Sequence, residues 1–250
     1  DFKTSPMSVT AQKEQFLNNH PMPDPIEKER IFNLIFLAFL DSDGYARRSN
    51  KKTHAEYFKS ILDRYIASIT KIGSVMKQLK ISPAETSLFQ GDARSLELQD
   101  NSVDGILFSP PYSFAIDYLK NDATQLKFFE RDISKLGEQM IGLRGKTLKE
   151  KYHIYLEDMA RVLSECSRVL KPGRMCTIII GTNDSQLSKV LNIQKDRVSG
   201  LNKMVVEIGR TKGFQHIRSL PRQIVGMANT MRQEYIVMLQ KQADQTLAMI

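Results

Sequence analysis

Apolar residues recur at helical spacing through two long stretches in the first third of the chain. From His54 to Leu79 they return every three or four residues over about seven turns, which predicts a long amphipathic helix. The strongly apolar segment Ile26–Leu40 predicts a second, buried helix, and a shorter helix is expected from Met7 to Leu17. Together, the helices within 26–80 are interpreted as one helical insertion.

Shorter apolar runs that stop at polar residues or prolines predict strands. The run Val103–Phe108 is rich in β-branched and aromatic residues, is too short for a helix, and is expected to be covered on both faces. It stops at Ser109, after which Pro110 and Pro111 fix φ at two positions and remove two backbone donors. Further strands are expected at Thr86–Gly91, Met175–Ile180, Gly213–Leu220 and Glu234–Gln240.

Helical patterns lie between these strands. They are expected over 113–119, 121–133, Tyr155–Leu170 and Asn202–Thr211, and a polar connection is expected over 186–200. The sequence Leu170-Lys-Pro-Gly173 marks the end of a helix before the next strand. Strands that alternate with helices in this way predict an α/β fold, and 250 residues fit one domain over 1–250.

A candidate binding site follows from the end of the Val103–Phe108 strand. Ligands of open α/β sheets bind at the carboxyl ends of the strands. The two prolines hold Ser109 and Tyr112 in a nearly fixed relation at such an end. The pattern therefore indicates a rigid, polar and aromatic loop where a ligand is expected.

The charge of the chain is strongly basic. With 36 Lys and Arg against 28 Asp and Glu, the formal net charge is +8, which suggests a polyanionic partner but is also compatible with a solvated basic surface. A polar, flexible loop is expected over 41–52, where Arg47, Arg48, Lys51 and Lys52 could neutralise phosphates. Arg144 and Lys146 belong to a second basic stretch with the same two interpretations.

Little indicates secretion or membrane insertion. The most apolar run, Ile31–Leu40, is too short to span a bilayer, and the N-terminus shows no signal-peptide pattern. The two cysteines, Cys166 and Cys176, have no metal-ligand spacing and suit a reducing compartment. A cytoplasmic protein without a bound metal is expected.

The sequence Ser109-Pro110-Pro111-Tyr112 resembles the Ser/Asn/Asp-Pro-Pro-Tyr/Phe motif of the S-adenosylmethionine-dependent DNA amino-methyltransferases. Asp92, at the end of the preceding predicted strand, lies 17 residues before Ser109, a separation similar to that in the family. The resemblance implies a Rossmann-like class I methyltransferase sheet, mostly parallel with an antiparallel last strand. It places the helical insertion of 26–80 before the third strand.

The resemblance also implies a reaction, in which a methyl group passes from S-adenosylmethionine to the exocyclic amine of a base flipped out of double-stranded DNA. The Ser109 hydroxyl and the Pro110 carbonyl would accept the two amine protons and help localise the nitrogen lone pair. The Tyr112 ring would stack on the flipped base, and Pro111 would hold that ring in register. The serine form of the motif favours N4 of cytosine over N6 of adenine.

For the cofactor, the resemblance places Asp92 at the adenine, with Ala93 and Phe108 beside it, and makes Asp1 a weaker candidate for the ribose. The sequence contains no Gly-x-Gly loop for the amino-acid tail. The chain is therefore expected to be a fragment or one half of a split enzyme, completed by an upstream segment or a second chain that carries a Gly-rich loop.

Two alternatives remain open at the level of sequence. The missing Gly-x-Gly favours a non-catalytic DNA-binding or regulatory subunit that kept the fold, whereas the intact Ser109–Tyr112 motif favours an enzyme. An RNA methyltransferase shares the same chemistry and charge. The DNA sequence recognised, and any restriction partner in a restriction-modification system, cannot be read from these residues.

Overall fold

A computed structural model of the chain describes residues 9–19, 24–49, 51–111, 118–224 and 233–243. The chain divides into two compact units. A helical unit consists of Asp1–Leu88 with Tyr118–Ile133, and a sheet unit consists of Phe89–Asp117 with Ser134–Ile250.

Five helices form the described part of the helical unit: α1 (Val9–Asn19), α2 (Pro25–Arg48), α3 (His54–Leu79), α4 (Tyr118–Asn121) and α5 (Ala123–Phe128). Helix α3 begins with a capping box, in which the Thr53 side chain accepts from the Glu56 backbone and Glu56 accepts from the Thr53 backbone. The two long helices predicted from the apolar pattern are thus confirmed. Within the described ranges, no helix of either unit is long and apolar enough to cross a membrane.

The core of the helical unit is aromatic. Phe32, Phe36 and Phe39 of α2 are buried, and Phe58 and Phe128 pack against them. Stacked and edge-to-face rings of this kind bury large apolar areas with defined geometry. Helix α2 is therefore buried along one face only, whereas its sequence predicts a buried helix: Ile26 and Leu37 are 62% and 55% exposed.

The prediction of a loop over 41–52 is wrong for its first eight residues, because α2 continues to Arg48. Ser42 and Asp43 are buried in this last part of the helix. The Ser42 hydroxyl donates to the Phe39 carbonyl at 2.7 Å, and Arg47 donates to Asp43, one turn earlier, at 2.7 Å. These polar side chains have hydrogen-bond partners within the helix, and so they can be buried without hydrogen bonds to water.

The sheet unit contains the remaining elements: β1 (Val103–Phe108), α6 (Ile133–Gln139), α7 (Leu148–Val169), β2 (Leu170–Gly181), α8 (Asp184–Leu191), a 3₁₀ turn (Lys195–Arg197), α9 (Leu201–Thr211), β3 (Phe214–Gln223) and β4 (Gln233–Lys241). The described strands form one four-stranded sheet in the order β1-β2-β4-β3. Strands β1 and β2 are parallel, and β4 is antiparallel to both β2 and β3. This mixed sheet confirms the predicted α/β class and the antiparallel pair at one edge.

Helix α7 supplies more residues to the buried core of the sheet unit than any other described element. Met159, Leu163 and Cys166 on one face of α7 are buried in the same cluster as Ile178 and Ile180 of β2. Their spacing along α7 follows the helical period, and the β2 residues alternate along the strand. Helix α7 and β2 form the αβ unit expected from the sequence, but the predicted turn at Leu170–Gly173 is wrong, because β2 begins at Leu170, where it already pairs with Val103 of β1.

Two other expectations are overturned. Residues 86–91 form no regular strand, and Leu88 and Phe89 are 92% and 87% exposed. A strand needs a paired neighbour for its backbone groups, and no described strand runs beside this segment. Strand β1 forms as predicted but is not covered on both faces, because Ile106 and Phe108 pack against the core whereas Leu107, which points to the other face, is 70% exposed.

The segment that leads into β1 is fastened to α7 by Arg168. Its guanidinium donates to the carbonyls of Leu96 and Leu98 at 2.9 and 2.8 Å, and to Glu165 at 2.8 and 2.9 Å. The hydrogen bonds from Arg168, and one from the Leu96 backbone, lower the pKa of Glu165 to about 2. This contact fixes where β1 begins.

Candidate functional site

The carboxyl end of β1 is joined to β2 by the side chain of Ser109. In the parallel register Phe108 lies opposite Ile178, so Ser109 lies beside Ile179. The Ser109 hydroxyl donates to the Ile179 carbonyl at 3.0 Å. The hydroxyl proton is thereby directed to β2, while the exposed oxygen keeps lone pairs that can accept.

The two prolines after Ser109 are also held from the protein side. Pro110 is buried, and the Pro111 carbonyl accepts a hydrogen bond of 3.1 Å from the hydroxyl of Tyr155 in α7. Tyr155 is itself buried in the core. The Ser109–Pro111 loop is therefore positioned by both a neighbouring strand and a core helix. Tyr112, the fourth residue of the motif, lies outside the described residues.

A second polar group follows the neighbouring strand β2. The Thr182 hydroxyl donates to Asp184 at 2.8 Å, and the Asn183 side chain accepts from the Gln186 backbone at the start of α8. Because β1 and β2 are parallel, this turn lies at the same edge of the sheet as Ser109. Thr182, Asn183 and Asp184 are not among the residues that the sequence predicts for the site. A polar cluster directly after a buried strand was the signal that could have found it.

Asp92 is fixed by Arg94 in a tight turn. The Arg94 guanidinium donates to both carboxylate oxygens, at 2.7 to 3.1 Å, and the Arg94 backbone donates to one of them at 2.9 Å. These hydrogen bonds hold the pKa of Asp92 below its ordinary value. Asp92 is thus an ionised and still half-exposed carboxylate.

Arg94 also reaches the interior of the sheet unit. It donates to Asp158 of α7 at 3.0 Å and to the Gln139 carbonyl at 2.9 Å. Arg144 pairs with the same Asp158 carboxylate, which is only 1% exposed. Two guanidinium groups therefore neutralise one buried carboxylate, and Asp92 is anchored to α7 through Arg94.

A cavity of about 320 Å³ opens beside this group, lined by Asp92, Arg94 and Arg144 among others. Its size lies within the range of about 300–1,000 Å³ typical of small-molecule sites. A larger cavity of about 600 Å³ lies over α9 and β3, where Met204 and Ile208 contribute aliphatic surface. It is lined by none of the predicted site residues, although Glu207, Arg210 and His216 are among its lining residues. We therefore regard the smaller cavity as the more relevant one.

Of the remaining predicted cofactor residues, Ala93 is exposed in the turn between Asp92 and Arg94. Phe108 is half-buried and packs on the core of the sheet unit, and Asp1 lies outside the described residues. Their roles stay predictions.

The predicted phosphate-contacting residues differ in their surroundings. Lys51, Lys52 and Lys146 are exposed, whereas Arg47 pairs with the buried Asp43 and Arg144 pairs with Asp158. The side chain of Arg48 lies outside the described residues. The three lysines are thus better placed for a nucleic acid than the two arginines, but contact with DNA stays a prediction for the whole set.

Comparison with solved structures finds several proteins described as methyltransferases. A protein of Thermus thermophilus that is provisionally described as a DNA modification methylase aligns at 23% identity with a TM-score of 0.36, over 62% of this chain and 53% of its own. The same protein complexed with S-adenosyl-L-methionine gives 19% identity and a TM-score of 0.35, over 62% of this chain and 52% of its own. An S-adenosylmethionine-dependent methyltransferase of Methanosarcina mazei gives 12% identity and a TM-score of 0.36, over 62% of this chain and 66% of its own.

The alignment thus spans about half the length of the Thermus protein. At these TM-scores the likenesses carry no inference about the function of this chain. No protein-family model matches the chain, and no curated protein matches it.

Proposed function

We propose that this chain is the catalytic part of a DNA methyltransferase. It transfers a methyl group from S-adenosylmethionine to the exocyclic amine of a flipped base in double-stranded DNA, with cytosine N4 favoured over adenine N6. Residues 1–250 would act as one catalytic domain in the cytoplasm, with the helices of 26–80 as an insertion.

One observation carries this proposal: the Ser109 hydroxyl donates to the Ile179 carbonyl at the carboxyl end of two parallel strands. A hydroxyl whose proton is committed to a strand can act toward a ligand only as an acceptor. An exocyclic amine presents two N–H donors and needs acceptors in a fixed geometry. The orientation of Ser109 supports that role, and the resemblance of Ser109–Tyr112 to the amino-methyltransferase motif supports the same chemistry.

The chemistry assigned to these residues is positioning and polarisation. The Ser109 oxygen and the Pro110 carbonyl would each accept a hydrogen bond from one N–H of the amine. The nitrogen lone pair then turns out of conjugation toward the methyl donor. The buried Pro110 and the Tyr155 contact to Pro111 keep the acceptors in place during this step. Tyr112 is proposed to hold the flipped base by stacking.

The residues present fit one end of the proposed cofactor. Asp92 offers an ionised, half-exposed carboxylate beside a cavity of about 320 Å³, and this carboxylate, which already accepts from the Arg94 guanidinium and backbone, is proposed to accept from an adenine amino group as well. No glycine-rich cradle for the amino-acid tail occurs within the described ranges, and the sequence has no Gly-x-Gly. When bound, S-adenosylmethionine supplies the electrophilic methyl group.

Methyl transfer from labelled S-adenosylmethionine to duplex DNA, followed by mass spectrometry of the nucleosides, tests the proposal. We expect N4-methylcytosine, and at least a hundredfold loss of the rate in Ser109→Ala. The matched control is Ser102→Ala. Ser102 immediately precedes β1, and its hydroxyl also donates to a carbonyl, that of Gln99. This substitution should leave the rate unchanged.

The alternatives give different results. Methylation of RNA but not DNA would favour an RNA methyltransferase. Saturable DNA binding without any methyl transfer, even at millimolar cofactor and with the upstream segment or second chain that carries the Gly-rich loop present, would favour a non-catalytic subunit. Equal activity of Ser109→Ala and the wild-type chain would refute the role given to Ser109.

A further inference from the structure

Helix α3 is covered along only part of its length. Near its middle, Ile61 is buried, and Arg64 and Tyr65 contact Asp41 of α2 at 3.1 and 3.3 Å. Beyond Tyr65 the apolar face continues, but its side chains are 44% to 60% exposed. We call this face the distal stripe; it consists of Ile66, Ile69, Ile72, Val75 and Leu79.

The distal stripe is unusual for a solvent-facing surface. Amphipathic helices gain most of their stability by burying the apolar face against another element. Gly73, among the stripe residues, has no atom within 4 Å of the position that a Cβ would occupy. Five large apolar side chains in a row with open space beside them are typical of an interaction site.

The spacing of the apolar residues matches a helical partner. Along α3 the apolar residues alternate in steps of three and four, at Leu62, Tyr65, Ile69, Ile72, Met76 and Leu79, and of these Ile69, Ile72 and Leu79 belong to the distal stripe. This is the a/d repeat by which one helix packs into another, and β-branched side chains are common in such seams. A membrane-surface helix would be expected to carry aromatic anchors, and none occurs from Ile66 to Ile81.

The charges beside the stripe determine what kind of helix fits. Lys71 lies one turn before Val75, and Lys77 lies one turn after Gly73, so the lysines border opposite sides of the stripe. The sequence has no acidic residue from Tyr65 to Ala84. A second copy of α3 would bring lysine against lysine, which disfavours self-association.

We propose that the distal stripe of α3 docks an amphipathic helix of a partner protein whose apolar seam is flanked by acidic residues. The stripe supplies the apolar contact, and Lys71 and Lys77 select the sign of the flanking charge. This assigns the end of α3 an interaction function that does not depend on methyl transfer.

Two designed 21-residue helical peptides test the proposal, each with Ile and Leu at the a and d positions, and with either Glu or Lys at e and g. Fluorescence anisotropy with the whole chain should give saturable binding of the Glu peptide and at least tenfold weaker binding of the Lys peptide. In Lys71→Glu/Lys77→Glu the order should reverse. An apolar surface without charge selectivity would bind both peptides with equal affinity, and the double substitution would not reverse the order of the affinities.

A matched pair of variants controls for folding. Ile69→Ser/Ile72→Ser should abolish binding of the Glu peptide, whereas Thr70→Ser/Gln78→Ser, on the opposite face, should leave it unchanged, with equal circular dichroism for both. Three results would overturn the proposal: equal affinity for the two peptides, binding to phosphatidylserine vesicles in place of the Glu peptide, or an Ile69- and Ile72-dependent dimer in sedimentation velocity.

Discussion

The Tyr155 hydroxyl donates to the Pro111 carbonyl at 3.1 Å and so connects a core helix to the loop that follows β1. Pro110 and Pro111 have no backbone N–H, so this loop can be anchored only through carbonyls and side chains. Two such anchors are present: Tyr155 of α7 donates to the Pro111 carbonyl, and Ser109 of the loop donates to the Ile179 carbonyl of β2. The position of the candidate acceptors therefore depends on side chains far apart in sequence.

Tyr155→Phe should keep the ring packed and remove the hydrogen bond to the Pro111 carbonyl. We expect a loss of about 1 kcal/mol in the free energy of unfolding, measured by urea denaturation. Tyr235→Phe is the control, since the hydroxyl of Tyr235 donates to Gln233, two residues away in the same strand. Its effect should stay within about 0.5 kcal/mol. If both variants lose the same stability, the Pro111 contact does not anchor the loop.

The sequence predicts well those elements that local chemistry determines. The bounds of α3 follow from its apolar period and from the Thr53–Glu56 capping box, both of which act within a few residues. The turn after β1 follows from Pro110 and Pro111, whose rings fix the backbone wherever they occur. Such features need no knowledge of the rest of the molecule.

Other features depend on distant partners and could not be predicted. Residues 86–91 have the composition of a strand, but a strand forms only beside a paired neighbour. The prediction of a polar connection over 186–200 is wrong for its first residues, because α8 (Asp184–Leu191) covers them; this helix is short and starts at the polar cap Asn183, so its apolar pattern is weak. The contact of Arg94 with Asp158 joins residues 64 positions apart, and no local pattern indicates it.

Arg94→Ala tests the anchoring of Asp92 to α7. The substitution leaves the buried Asp158 with Arg144 as its remaining guanidinium partner among the described residues. Breaking a buried pair costs about 3–5 kcal/mol, and the retained Arg144 should keep the loss in the free energy of unfolding to about 2–4 kcal/mol.

The matched control is Arg161→Ala, because Arg161 lines the same cavity but is exposed. Urea denaturation should show a change below about 0.5 kcal/mol for it. Similar losses in the two arginine variants would mean that the contact with Asp158 contributes little.

Gly73→Ala should stabilise the helical unit. Gly73 lies in the interior of α3, and the built Cβ meets no atom within 4 Å. Replacing an exposed mid-helix glycine by alanine gains about 0.5–1 kcal/mol, since alanine loses less backbone freedom on folding. Gly209→Ala in α9 is the contrasting variant, because its Cβ would lie 2.8 Å from Leu239. Gly209→Ala should lower the free energy of unfolding. If both variants raised it, the space around the glycine would not determine the effect of the substitution.

Glu165→Gln should change how stability depends on pH. The hydrogen bonds from Arg168 hold the pKa of Glu165 at about 2 in the folded chain, below its ordinary value of 4.5. The unfolded chain therefore binds the proton first as pH falls, and the stabilisation from Glu165 is complete above about pH 4.5 and lost toward about pH 2. Urea denaturation between these limits should give a shallower acid decline for Glu165→Gln than for the wild-type chain. Glu207→Gln, which alters an exposed pair with Arg210, should follow the wild-type curve. Parallel curves for Glu165→Gln and the wild type would show that Arg168 does not favour the ionised form of Glu165 in the folded state.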